Sequence, residues 1–225
     1  MSDTASKAWT ALSAPWKVVF DQAWASWCEG NYGIGAALVD PATEEIVSTG
    51  RNRVEVSASA DERAAGDRSI SGTFLAHAEM NALATLPRFK ADGLHLYTSL
   101  EPCLMCAGSA ILMHVQHVHF ASPDELFADL DVLWDQHPYS TRHKADRSGP
   151  LRSPLATFAR VLPLTLSAAN APNKMVMIAA RAEVPLVAAL ATELAADRTL
   201  EVLSSAGSTT LEAIEDLWPR LCAAI

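Results

Sequence analysis

Two short motifs carry side chains that can act together: His77-Ala78-Glu79 and Pro102-Cys103-Leu104-Met105-Cys106. A Cys-x-x-Cys pair at the start of a helix puts both sulfurs on one side of the first turn. Free backbone N–H groups and the positive helix end there favour the thiolates. With one imidazole they form a tripod for Zn2+. Three protein ligands leave the last tetrahedral position to water, the pattern of a catalytic zinc, whereas structural sites recruit a fourth protein ligand. His77, Cys103 and Cys106 are the expected ligands. A carboxylate beside that water must take its proton and pass it on, and Glu79 is placed to do so.

These residue types have other uses. Cys-x-x-Cys alone reads equally as a redox pair; the preceding proline and the upstream His-x-Glu weigh against that. A structural zinc would need a further ligand, and the spare candidates are His95, His114, His117 and His119. His117 and His119 alternate along a strand onto one face and read as surface or core residues.

The elements that must position the motifs follow from periodicity. Residues 15–29 are expected to form an amphipathic helix, with Pro15 opening it and Trp16, Val19, Phe20, Ala23 and Trp27 on one face. A hairpin follows: the run 33–39, a turn at Asp40-Pro41, then Ile46-Val47 leading to Gly50. Residues 55–72 are polar and read as a loop of functional length. Helices are expected over 73–86, 103–114 and 124–134, with strands at 94–100, 115–121 and 158–166 and an irregular segment over 137–154. Two more helices are expected at 183–197 and 208–224. Strands separated by helices indicate an α/β layered domain. The long connection after 121 calls for a parallel crossover, so the last strand is expected to run parallel to its neighbour.

Bulk properties exclude some classes. Half of the 225 residues are hydrophobic, enough for a substantial core. With 26 acidic against 17 basic residues the formal charge is −9, which argues against binding nucleic acid chiefly through its phosphates. The basic cluster Arg142, His143, Lys144, Arg147 and Arg152 reads as a solvated loop or, functionally, as a phosphate-contacting lid; Trp134 and Tyr139 before it read as anchors or an aromatic lid. No run of apolar residues is long enough to span a membrane, and no signal-peptide core is visible. A cytoplasmic location is expected, with the four cysteines as thiols or ligands.

His-x-Glu followed by Pro-Cys-x-x-Cys is the signature of zinc deaminases of nucleobases, in which the Glu is not a ligand. The chain resembles the cytidine/deoxycytidylate deaminase superfamily over roughly residues 10–165. Within it, Glu101-Pro-Cys-Leu-Met-Cys-Ala-Gly is similar to the branch containing guanine deaminases and bacterial tRNA adenosine deaminases. The resemblance implies a three-layer α/β/α fold, a mixed five-stranded sheet with helices on both faces. It implies Zn2+ on His77, Cys103 and Cys106, with Glu79 moving protons in a hydrolytic deamination. It also implies that Asn52 hydrogen-bonds the substrate, that the backbone N–H of Ala78 faces the ring, and that the chain forms a homodimer. The chain departs from that pattern in its polar stretch 55–72 and in a helical tail. It is expected to divide into a zinc-dependent deaminase domain, 1–166, and a helical C-terminal extension, 167–225, packed on the same core or at an interface. The expected substrate is a small purine-like amino-heterocycle. The alternatives are an RNA-editing adenosine deaminase and a non-catalytic zinc-binding module.

Overall fold

The apolar run Gly35–Val39 is buried at every position, as a strand covered on both faces must be. It lies near the middle of the sheet in a computed structural model that describes residues 4–225, so the first three residues of the expected 1–166 unit fall outside the described ones. Along the chain come α1 (Ala5–Thr10), α2 (Ala14–Cys28), β1 (Gly35–Val39), β2 (Ile46–Arg51), α3 (Ala60–Ala64), α4 (Ala78–Ala84), β3 (His95–Leu100) and α5 (Leu104–Leu112). There follow β4 (His117–Ser122), α6 (Asp131–Trp134), α7 (Pro138–His143), β5 (Asp146–Ser148) and α8 (Pro154–Asn170). The chain closes with α9 (Met175–Glu183), α10 (Pro185–Asp197), α11 (Thr199–Ser205) and α12 (Thr210–Ala223).

The sheet order is β2-β1-β3-β4-β5. β1 is antiparallel to β2 and β3, while β3, β4 and β5 run parallel, giving the expected mixed five-stranded sheet. Alternation along β1 divides the interior. Ala36 and Leu38 join Ala78, Ala82, Leu96, Ala110 and Val118, the side of α4 and α5, whereas Ala37 and Val39 join Val19 of α2. α2 and α8 cover that second face, and α9 to α12 continue its core outward through Met177, Leu190, Leu194, Ile214 and Leu217.

Two glycines permit close docking. A Cβ on Gly35 would lie 2.2 Å from the Val19 carbonyl oxygen of α2. A Cβ on Gly50 would lie 2.2 Å from the Ala78 carbonyl oxygen and 2.3 Å from the Ala82 nitrogen. α4 therefore rests directly on the backbone of β2.

Several expected elements differ. The expected strand at 158–166 is the middle of α8, where Phe158, Ala159, Val161, Leu162 and Leu164 are all buried. A helix buried on nearly every side shows little amphipathic contrast and reads like a buried strand. The Ser153 side chain accepts from Leu155 N–H and Pro154 opens the helix, an ordinary start signal. The fifth strand is β5, inside the segment expected to be irregular; it is parallel to β4 as the crossover argument requires. The helix expected over 124–134 shrinks to α6. Asp124 Oδ1 takes the Leu126 N–H at 3.0 Å and Asp129 sits at φ 62°, so local side-chain bonding and a left-handed residue replace the first turns. The helix expected from 73 begins only at Ala78, because Thr73 Oγ1 holds the Leu75 N–H at 3.0 Å in a turn.

Candidate active site

His77 and Cys103 are the N-cap residues of α4 and α5, both with extended backbone, and neither side chain caps its own helix. N-cap side chains ordinarily accept a backbone N–H of their helix. Here they turn toward each other. His77 Nδ1 lies 3.6 Å from Cys103 Sγ and 3.6 Å from Cys106 Sγ. Tetrahedral zinc with ordinary bond lengths sets a nitrogen and a sulfur ligand about 3.6 Å apart, so the donor set fits the ion. The three donor atoms lie within 4.8 Å of one another, and no fourth His, Cys, Asp or Glu joins them among the described residues. His95, His117 and His119 gather elsewhere, at the opening ends of β3 and β4.

Charge at the site is arranged for a cation. The Cys106 thiol hydrogen-bonded to Cys103, and then the His77 imidazole, bring the Cys103 thiol down to about 4 against burial. Cys106 moves the opposite way, raised by that same bond, by burial and by Glu79. A metal binds the thiolate forms, so binding releases the remaining thiol proton. Burial pulls His77 down, but Cys103 and Glu79 outweigh it and hold the imidazole above its usual range.

Glu79 occupies the first turn of α4 and is only 4% exposed. Burial, and next the Cys103 charge, push its carboxyl above the usual range, opposed by His77. Its Oε1 accepts from Thr98 Oγ1 at 3.1 Å and its Oε2 from Cys106 Sγ at 3.4 Å. Thr98 is fully buried on β3 and escaped the sequence reading; its inward-alternating place on the strand leading to Cys103 was the available signal. Asp124, buried after β4, is a second residue missed. Burial raises its carboxyl although Arg160 opposes the shift, and its charge acts on His77.

Asn52 follows β2 and is 2% exposed. Its Oδ1 accepts the Val54 N–H at 3.1 Å, an Asx turn. The next residue's N–H donates to the Ala76 carbonyl at 2.9 Å, tying this segment to the approach of His77. Ala78 opens α4, so its N–H belongs to the helix-start donors that have no intrahelical partner. Phe74, 76% exposed, sets its ring 5.5 Å from the His77 ring at the outer side of the site.

The stretch 55–72 is ordered around Arg53, another residue missed. The Arg53 guanidinium, nearly buried, donates to Asp67 at 2.6 Å, Glu62 at 2.7 Å and Ser69 at 3.2 Å. The basic segment is partly neutralised by acidic neighbours: Lys144 pairs with Asp135 at 2.7 Å, and Arg147 with Glu101 and Asp131. Trp134 and Tyr139 line an apolar groove against Leu104, Gly108 and Leu112 of α5.

Residues 13–122 match the family model for the cytidine and deoxycytidylate deaminase zinc-binding region. These residues are such a region. The two motifs and both helix N-termini of the deaminase region lie within that match. Over 100 residues, 43% of this chain and 52% of the relative, the sequence is 36% identical to a tRNA-specific adenosine deaminase of Bacillus subtilis (strain 168). The chain thus spans about half the length of that relative. A structure from work on A-to-I editing by tRNA deaminases at the wobble position superposes with a TM-score of 0.50 at 20% identity, covering 64% of this chain and 97% of the other. A protein variant in complex with 8-azaguanine superposes with a TM-score of 0.50 at 22% identity, covering 70% and 84%. These two likenesses are of fold.

Proposed function

We propose that this chain is a zinc-dependent hydrolytic deaminase that converts the exocyclic amino group of a purine-like nucleobase, nucleoside or related amino-heterocycle to a carbonyl, releasing ammonia. The observation that carries the reading is the buried Glu79 carboxyl, held by Thr98 beside a three-donor metal set that no further protein ligand completes. Zinc on His77, Cys103 and Cys106 supplies a Lewis acid that makes water nucleophilic near neutral pH. Glu79 takes one proton from the attacking water and gives it to a ring nitrogen, then takes the proton left on the added hydroxyl and delivers it to the departing amino group. The Thr98 hydroxyl can follow that proton. It donates to Glu79 Oε1 when the carboxyl is ionised, and otherwise to the Leu100 carbonyl at 3.0 Å while accepting from Glu79. The Asn52 side-chain amide and the Ala78 N–H are assigned to the ring edge.

The deaminase region supports the chemistry, and the complex of a structural neighbour with 8-azaguanine supports a purine-like substrate. A second reading, adenosine deamination in tRNA, is favoured by the 36% identity to a tRNA-specific enzyme. The formal charge of −9 and the paired state of Lys144 and Arg147 favour the small substrate. The domain division at 166/167 falls inside α8, so the extension is assigned to the same folded body as the catalytic unit. A homodimer is assigned to the α5 face, where Leu104 and Leu112 are 48% and 63% exposed; a monomeric mass at micromolar concentration counts against it. The location assigned is cytoplasmic.

The test is ammonia release from guanine, adenine, cytosine, their nucleosides and aminopterins, with Glu79→Ala as control. Release from one compound, lost in a variant that still holds zinc, is expected. Silence on every small compound together with activity on tRNA would replace the first reading with the second.

A further inference from the structure

We propose that His95, His117 and His119 form a second site, for a borderline divalent transition-metal ion such as Zn2+, at the opposite end of the sheet from the cysteine site. His95 and His117 open the parallel strands β3 and β4 and are directly paired in register, as are Tyr97 and His119. Paired residues of neighbouring strands project to one face, so the three imidazoles share it with Tyr97. Their ring centroids lie 5.2, 5.2 and 4.1 Å apart for the pairs 95–117, 95–119 and 117–119. The length of β3, roughly 17 Å of strand, separates this cluster from the residues leading to Cys103.

Two of the three donors already stand at ligand spacing, and the third must move in, since among the described residues only His77, Cys103 and Cys106 bring three donor atoms within 4.8 Å of one another. His95 Nδ1 and His119 Nε2 face each other at 3.1 Å. Two imidazole nitrogens on one tetrahedral zinc stand about 3.3 Å apart, so this pair already has ligand spacing. In the metal-free pair those nitrogens share one proton; on binding, that proton moves to the ring's other nitrogen and the freed lone pair goes to the metal. His119 is fixed from the side by stacking on Tyr97 at 4.3 Å, which limits the freedom lost on binding. His117 supplies the third nitrogen by turning its ring from Ser148 Oγ, its partner at 2.7 Å. Asp146 stands in register with His117 on β5, exposed, where a carboxylate balances the cation's charge. Imidazole ligands must be neutral to coordinate. Burial and the neighbouring imidazoles lower His119 to about 4, and burial lowers His95, so both are neutral at neutral pH.

A rival cluster lies nearby. His114 stacks on His143, but its nitrogens are already taken, Nδ1 by Asp92 at 2.9 Å and Nε2 by Tyr139 at 3.1 Å. This inference is independent of the deaminase reading.

The test is calorimetric titration of Zn2+ into the zinc-loaded full chain near neutral pH. One further equivalent per chain is expected in the wild type. It should be lost in His95→Gln and in His119→Phe, the latter keeping a ring against Tyr97, and kept in His114→Gln/His143→Gln. Thermal unfolding verifies that each variant is folded. Ring NMR signals of His95 and His119 in the wild type should shift during the same titration, a readout that needs no variant. No further equivalent, retention of it in the His95 and His119 variants, or unmoved ring signals would overturn the proposal.

Discussion

Glu79 depends on a neighbour that does no chemistry itself. A hydrogen bond to an ionised group is worth about 1.5–3 kcal/mol, and the fully buried Thr98 hydroxyl lies 3.1 Å from Glu79 Oε1. Thr98→Val keeps the volume and removes the bond. If the bond is made chiefly as Glu79 changes charge, kcat should fall roughly 10- to 100-fold, while zinc content stays at the wild-type level and Thr98→Ser recovers most of the rate. A Thr98→Val enzyme with unchanged kcat would show that Glu79 is held by its burial alone. The thiols obey a different rule. Their distance from His77 depends on two helix starts, so a change far from them can spoil the metal set.

At the scale of elements, α4 is the carrier of both His77 and Glu79, and it rests on Gly50. Gly50→Ala forces a methyl against the Ala78 carbonyl and the Ala82 nitrogen, backbone atoms that cannot rotate away. Overpacking of this kind costs about 1–3 kcal/mol. The expected result is a lower unfolding temperature together with weaker zinc retention, because displacement of α4 moves His77 relative to Cys103. Loss of stability with zinc affinity intact would mean that β2 moves instead of the helix. The loop beside it has its own pH response. Glu62 is held from 4.5 down to about 2, first by the Ser59 backbone N–H and then by Arg53. A carboxyl lowered by folding stabilises the folded loop fully above its unfolded value and loses that effect as pH falls through its folded one. Amide exchange over residues 59–69 should therefore quicken between about pH 4.5 and 2, ahead of β1 and β3. Simultaneous loosening of loop and sheet would assign acid sensitivity to the whole fold.

For the whole molecule, the tail is part of the core. Phe158, Leu162 and Leu164 of α8 share one buried cluster with Met177 of α9, Leu194 of α10 and Ile214 and Leu217 of α12. Removing 171–225 would expose that face of α8 to water, at about 25 cal/mol for each Å² of apolar surface. Truncation is expected to leave an aggregating chain, and the intact protein is expected to unfold in a single calorimetric transition. Two separated transitions would mark the tail as an independent unit. No described helix is long and apolar enough to cross a membrane.

The candidate metal donors were legible in the chain because their chemistry is written in short spacings: His-x-Glu and Cys-x-x-Cys each lie within one helical turn. The apolar run of β1, the alternation of β3 and the need for a parallel crossover were legible for a similar reason, since they depend on local pattern and chain length. α8 was not, because a helix buried on nearly every side shows little of the contrast that identifies it. β5 was not, because three largely exposed residues carry too little pattern to register. Thr98 on Glu79, Arg53 in its acidic loop, Gly50 under α4 and the joined imidazoles of His95 and His119 are contacts between residues far apart in sequence. Only tertiary packing decides those, because neither propensity nor spacing says which strand will lie beside which helix.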